Sequence, residues 1–97
     1  MDPALSYRST PVFDDATLPA ALRRDHRTKA GVWGVVRVLE GELLLAFADG
    51  EERRLSPGCD GVLAPERTHR VEPLGAMRMQ VDFYDREPPQ TGTDNRR

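Results

Sequence analysis

The chain has 97 residues and a mass of 10.9 kDa, which is the size of one domain with a modest core. Its 14 basic and 16 acidic residues give a net charge of −2, which argues against a nucleic-acid-binding domain, where a basic excess is usual. No segment is long and apolar enough to span a bilayer, and the N-terminus lacks the features of a signal peptide. The single cysteine, Cys59, cannot form an internal disulfide. We therefore expect a cytoplasmic domain that binds neither nucleic acid nor membranes.

The N-terminal part predicts an extended segment followed by a short helix. Residues 5–13 form the extended segment in this interpretation. Thr17 is placed to cap a helix of one or two turns, and Leu18 and Leu22 would share its inner face. Frequent glycines and prolines follow along the chain, a pattern typical of an all-β barrel or sandwich.

The central part predicts three strands. The run GVWGVVRVL over residues 31–39 is rich in β-branched and aromatic residues, which favours a strand buried between two sheets. A tight reversal at residues 40–42 is expected to lead into a return strand over residues 43–48. Asp49 and Gly50 then predict a hairpin with a type I′ turn.

The second half of the chain predicts further short strands. Residues 51–55 indicate a polar edge strand, and residues 57–58 indicate a type II turn. Residues 62–63 and 69–72 predict two more strands. The clearest signal is the period of two over residues 77–84, where apolar and polar side chains alternate.

The domain is predicted to span residues 1–84. Residues 85–97 are polar and contain Pro88 and Pro89, so they predict a disordered C-terminal tail.

Several short motifs carry a resemblance to known proteins. The V-L-E-G turn at residues 38–41 and the P-G-x-D and P-E-x-x-H elements at residues 57–60 and 65–69 resemble the cupin superfamily. The chain is also similar to the TehB/YeaR-like family, through the segments at residues 18–19, 26–33, 38–41, 65–73 and 82–84. That family includes small stand-alone proteins and domains fused to a tellurite-resistance methyltransferase. The resemblance implies an all-β fold, a single small cupin-like jelly-roll β-barrel with a short N-terminal helix.

A reduced metal site is one expectation that follows. The chain has two histidines, His26 and His69, so the usual cupin set of three histidines and one glutamate is impossible. Two imidazoles and one carboxylate would complete a zinc site or a facial triad for non-haem iron. The carboxylate candidates are Glu66, just before His69, and Asp82 on the last strand. The alternative is that both histidines are hydrogen-bonded residues of the core or rim.

A binding site for an anion is a second expectation. The segment at residues 26–29 is polar, yet it leads directly into a buried strand. Thr28 and Lys29 would offer donor and cationic groups to an anion at the barrel mouth, and Trp33 would supply an apolar wall. The alternative is that Trp33 belongs to the core and Lys29 is solvated.

Three functions remain open at this point. The first is a small-molecule or anion-binding cupin-like protein, with or without a divalent metal, which the resemblance links to tellurite or other oxyanion stress. The second is an oxygenase-type enzyme that uses one divalent metal, zinc or iron. The third is an interaction module for a separate methyltransferase. By analogy with small cupins, we also expect a homodimer formed through an edge strand or residues 4–13.

Overall fold

The computed structural model describes residues 8–88, and these residues form eight short strands. One 3-10 turn and no α-helix is found among them. The 3-10 turn spans Ala20–Arg23 and lies between the second and third strands. The strands are β1 (Arg8–Ser9), β2 (Phe13–Asp14), β3 (Trp33–Glu40), β4 (Leu43–Phe47), β5 (Glu52–Leu55), β6 (Gly61–Leu63), β7 (His69–Pro73) and β8 (Arg78–Tyr84).

The strands are arranged in two antiparallel sheets that share one core. Sheet A has the order β1-β8-β3-β6, with β2 also paired to β8, and sheet B has the order β5-β4-β7. Their inner faces contribute the core residues, among them Val36, Met79 and Val81 from sheet A and Leu43, Leu45 and Val71 from sheet B. This is a layered all-β arrangement, in which each sheet buries its apolar face against the other.

The all-β class is confirmed, but the described strands do not close into a barrel. No strand belongs to both sheets, and the strands at the edges of sheet A contain only two or three residues. Strands this short leave too few backbone groups to continue one ladder around the core. An isolated bridge between His26 and His69 joins the segment before β3 to β7 of sheet B.

The predicted N-terminal helix is wrong and is replaced by the 3-10 turn. The backbone N–H of Thr17 donates to Asp14 Oδ1 at 2.8 Å, and the N–H of Asp14 donates to Thr17 Oγ1 at 2.9 Å. The residue expected to cap a helix therefore closes a turn back onto β2, because its local hydrogen bonds compete with helix formation. Leu18 is nevertheless buried, and Leu22 packs partly against the core.

The predicted return strand is present as β4, but the prediction that it pairs back onto β3 is wrong. β3 pairs with β8 and β6, whereas β4 pairs with β5 and β7, so the turn between β3 and β4 carries the chain from one sheet to the other. Gly41 has a φ of 75° in this turn, and a Cβ there would collide with the backbone oxygen of Ala76. The close approach of two turns therefore requires glycine at this position.

Other strand predictions are confirmed. Met79 and Val81 of β8 are buried, as the period of two predicted. Asp49 and Gly50 do join β4 to β5, but only Gly50 has a positive φ, so the turn is not type I′. A type I turn followed by a glycine bulge accounts for this geometry.

Parts of the sequence predictions fall beyond the described residues. Residues 89–97 of the predicted tail and residues 4–7 of the predicted dimer segment lie outside the described range. Residues 8–9 and 13–14 pair with β8 of the same chain. The domain boundary at residue 84 and the homodimer stay predictions. Within residues 8–88, no helix has the length and apolarity that crossing a membrane would require.

Candidate ligand-binding site

The two histidines lie side by side at one end of the sandwich. The N–H of His26 donates to the backbone oxygen of His69 at 2.8 Å, and the N–H of His69 donates back to His26 at 2.8 Å. Their ring centroids are 5.8 Å apart, and the ring planes are nearly perpendicular, at 84°. The fold therefore brings together the two histidines that the sequence places far apart.

His69 is held in one tautomer at the edge of the core. Its side chain is buried, with 3% relative exposure, and Nδ1 lies 3.0 Å from the backbone oxygen of Arg67. A carbonyl oxygen only accepts, so Nδ1 carries the proton and Nε2 is left as an acceptor. Burial lowers the pKa of His69 below its ordinary value, although the Arg67 carbonyl opposes this shift. The imidazole is therefore neutral near pH 7.

An apolar cavity lies between the sheets beside the histidines. We call it the inner cavity, and its volume is about 60 Å³. Thr28 and both histidines line it on one side. The rest of its wall is almost entirely hydrocarbon, with contributions from Leu22, Val36, Leu63, Val71, Met79 and Val81.

A second, larger cavity opens outside the first. We call it the vestibule, and its volume is about 420 Å³. His26, Thr28 and Phe83 line both cavities, so the two share a wall. Arg8, Arg27, Lys29 and Val32 complete the lining of the vestibule.

The vestibule is cationic. Three of its residues, Arg8, Arg27 and Lys29, are positively charged, and no carboxylate from residues 8–88 lines it. Within residues 8–88, none of the three takes part in an ion pair. The Arg8 guanidinium lies 4.9 Å from the ring centroid of Phe83, which positions it at the wall. The arrangement suits an anionic ligand, which would form charge-assisted hydrogen bonds there.

A strained turn supports the vestibule wall. The backbone N–H of Glu66 donates to the backbone oxygen of Thr28 at 3.1 Å and lies 3.3 Å from its Oγ1. Glu66 has a φ of 63°, the one positive value at a non-glycine residue in the described chain. Such a backbone is costly for a residue with a Cβ, so the surrounding contacts must hold it. Thr28 is consequently fixed between the two cavities.

The predicted carboxylate ligands are not brought to the histidines. Ser9 Oγ donates to Asp82 Oδ1 at 2.7 Å, and Arg37 Nε lies 2.6 Å from Asp82 Oδ2. These contacts lie on the outer face of sheet A, because Asp82 alternates with the inward-facing Val81. The histidine rings lie on the other side of this sheet.

The donor set consequently does not fit the expected zinc or iron site. Among residues 8–88, no three His, Cys, Asp or Glu side chains come close enough to hold a metal ion. Glu66 contributes its backbone to the site, and its side chain is exposed.

The predicted anion-binding residues are placed more favourably. Thr28 and Lys29 both line the vestibule. Trp33 lies opposite Tyr84 at the start of β3 and lines neither cavity, and Phe83 supplies the apolar wall instead. The alternation along β8 already placed Phe83 on the inner face, whereas no sequence signal pointed to Arg8.

Comparisons with known proteins place the chain in a family. The TehB-like domain family matches residues 8–81. TehB from Haemophilus influenzae has 29% identity to this chain and a TM-score of 0.73, over 81% of this chain and 30% of TehB. This chain thus spans less than a third of the length of TehB. Among curated proteins, none matches this sequence.

Two other solved structures share the fold. A protein from E. coli strain K12 has a TM-score of 0.75 and 24% identity, over 89% of this chain and 92% of that one. HppE in its FeII form has a TM-score of 0.58 and 16% identity, over 75% of this chain and 40% of HppE. The fold is therefore cupin-like. With three quarters of its length matched, the chain belongs to the TehB-like domain family.

Proposed function

We propose that this TehB-like domain binds a small anionic ligand in the vestibule. The link to tellurite or other oxyanion stress, which the family resemblance implies, is part of this proposal. The vestibule is a concave site lined by few residues, which favours a small molecule over a macromolecule. Backbone hydrogen bonds from β7 and from the turn at Glu66 hold the wall of the vestibule, so few protein groups have to become ordered when a ligand binds.

One observation supports the proposal above the others. Arg8, Arg27 and Lys29 lie on one cavity without ion-pair partners in the described chain. Of the nine other arginines in residues 8–88, seven have a carboxylate within 4.0 Å: Arg37, Arg53, Arg54, Arg67, Arg70, Arg78 and Arg86. The other two, Arg23 and Arg24, lie at the end of the 3-10 turn and line neither cavity. In a protein with as many acids as this one, cations concentrated without partners indicate a site for an external anion.

Calorimetric titration at low ionic strength tests the proposal with nitrite, acetate and tellurite as probes. Tellurite is used in a Cys59→Ser background, because the exposed thiol would otherwise react with it. We expect saturable binding that weakens by about 10- to 150-fold in Lys29→Ala, since a hydrogen bond to a charged group contributes about 1.5–3 kcal/mol. Binding should also weaken as salt rises.

Arg54→Ala is the matched control. Arg54 is exposed on β5, in sheet B, and removing it changes the net charge by the same amount. Its affinity for each probe should equal that of the unmodified protein. If none of the anions binds, or if Arg54→Ala weakens binding as much as Lys29→Ala does, the proposed function is wrong.

A second candidate is an interaction module for a methyltransferase. The observation that favours it is that the chain matches only 30% of TehB, so that protein contains a large part that this chain lacks. Sedimentation of this chain with the remainder of TehB would show a complex if the module function is correct. Two independent species at micromolar concentration would rule it out.

A further inference from the structure

We propose that the ligand is a short aliphatic carboxylate, with its charged group in the vestibule and its hydrocarbon chain in the inner cavity. The inference rests on the proposed function, because the vestibule supplies the site for the anionic group. It adds the chemical class of the ligand, which the cations alone do not define.

The shared wall is the first argument. His26, Thr28 and Phe83 line both cavities, so a molecule bound in the vestibule lies directly against the inner cavity. Small inorganic oxyanions would occupy only the vestibule. A ligand that fills both spaces has one charged end and one apolar end.

The chemistry of the inner cavity is the second argument. Most of its lining is aliphatic, from both sheets and from Leu22. Thr10 Oγ1 lies 2.8 Å from the backbone oxygen of Pro11 and 3.1 Å from the backbone nitrogen of Val81, so this hydroxyl already has partners. Thr28 Oγ1 and His69 Nδ1 also have backbone partners, so the His69 ring offers only its Nε2 acceptor to a ligand. Because most of the lining is apolar, an apolar chain is favoured there, whereas a negative charge would be desolvated without compensation.

The volume of the inner cavity sets the chain length. A cavity needs about 10–15 Å³ of such space to hold one water, so about 60 Å³ has room for a chain of a few carbons but not for a long one. The best straight-chain ligand is consequently expected to carry about four carbons beyond its carboxylate. Longer chains would have to leave the cavity or deform its walls.

A homologous series of carboxylates tests the inference. The affinities of acetate, propionate, butyrate, pentanoate, hexanoate and octanoate are measured by calorimetry at constant ionic strength. We expect the affinity to rise about fourfold per added methylene, the gain for burying one CH₂ group, up to about pentanoate. Beyond that length the affinity should stop rising.

Two neighbouring valines of β3 provide a matched pair of variants. Val36 lines the inner cavity, whereas Val35 does not line it and alternates onto the other face of the sheet. Val36→Ile should reduce pentanoate affinity about fourfold and leave acetate affinity unchanged. Val35→Ile should change neither. Thermal melting confirms that both variants fold, and Val81→Ile replaces Val36→Ile if the latter does not.

The possible outcomes separate this inference from the proposed function. Equal binding of acetate and pentanoate would overturn the inference and leave anion binding in place. If nitrite or tellurite binds and no carboxylate does, only the inference is wrong, and if none of these anions binds, both are wrong. If 1-butanol binds as tightly as pentanoate, and Lys29→Ala changes neither affinity, the carboxylate is not recognised and the inference is also overturned.

Discussion

The cations of the vestibule differ from Arg67, which lies in the turn before β7. Arg67 Nη2 lies 2.7 Å from Glu51 and 3.0 Å from Asp49, and its guanidinium lies 3.5 Å from the Phe47 ring centroid. Contacts with the two acids raise the pKa of Arg67 further, so its charge is permanent but already neutralised. Lys29 has no ion pair in the described chain. Arg23 and Arg24 also lack an ion pair among residues 8–88, so the vestibule cations are distinguished by lying together, unpaired, on one cavity.

The space between the sheets and the outer face of sheet A show a similar difference. Between the sheets, the Nε2 atom of His69, on β7 of sheet B, makes no hydrogen bond within residues 8–88. On its outer face, Asp82 is 7% exposed and is engaged by both Ser9 and Arg37. The carboxylate that sequence reasoning assigned to a metal site is therefore part of a structural network.

Removal of Asp82 should have the largest effect on stability. Asp82→Ala leaves the half-buried Arg37 guanidinium without its carboxylate, and we expect unfolding to become easier by about 1–3 kcal/mol. Urea unfolding measures the change, and acetate affinity should stay the same in the folded variant. Unchanged stability together with a loss of ligand or metal binding would show that Asp82 belongs to the site.

Removal of Arg67, like removal of Asp82, should lower stability without changing anion affinity. Arg67→Ala eliminates two exposed ion pairs and a contact with the Phe47 ring, so the melting temperature should fall by a few degrees. The affinity for acetate should remain unchanged, in contrast to Lys29→Ala. Weaker acetate binding in Arg67→Ala would remove the distinction between paired and unpaired cations.

Acidification should destabilise the protein through His69. Because burial lowers the pKa of His69 in the folded state, the unfolded chain binds more protons as pH falls. The full stability is therefore present above the unfolded-state pKa of about 6.5 and declines as pH falls from there toward the lower folded-state pKa. Urea midpoints at pH 7.5 and 5.5 measure the decline. His69→Gln, which lacks this titration, should lose less stability; an equal loss in both proteins would contradict the interpretation.

Relief of strain at Glu66 should give the smallest change. Glu66→Gly removes the Cβ from a residue with a φ of 63° and keeps the N–H that bonds Thr28. We expect stability to rise by up to about 1 kcal/mol, with anion affinity unchanged. Glu66→Ala keeps the strain and serves as the control. If both variants lose stability equally, the Glu66 side chain has a role that the backbone geometry does not explain.

Local patterns predicted the strands but not their partners. The alternation over residues 77–84 predicted β8, and the apolar run after Gly31 predicted β3, because each signal depends on the strand's own side chains. That β3 pairs with β8 and β6 instead of β4 is decided by packing between the sheets. The helix expected after Thr17 does not form because Asp14 and Thr17 exchange side chain-to-backbone hydrogen bonds that compete with helix formation.

The site was predicted in part for a similar reason. Thr28 and Lys29 stand out as a polar segment before a buried strand, and the structure places both at the vestibule. Asp82 was assigned to a metal site although it follows Val81 on the same strand, so the alternation of side chains already directs it away from the core. Arg8 reaches the vestibule only because β1 pairs with β8 through residues far apart in sequence.

The central claim, that the vestibule binds anions, is tested most directly at Lys29. Lys29 is the one lysine of the chain, so reductive methylation with ¹³C-formaldehyde labels its amine and the N-terminal amine, and retains both charges. We predict that the Lys29 dimethylamine resonance shifts saturably on titration with acetate and nitrite, but not with equal concentrations of acetamide. A Lys29 resonance that does not move, or that moves linearly with ionic strength for every salt, would contradict the account.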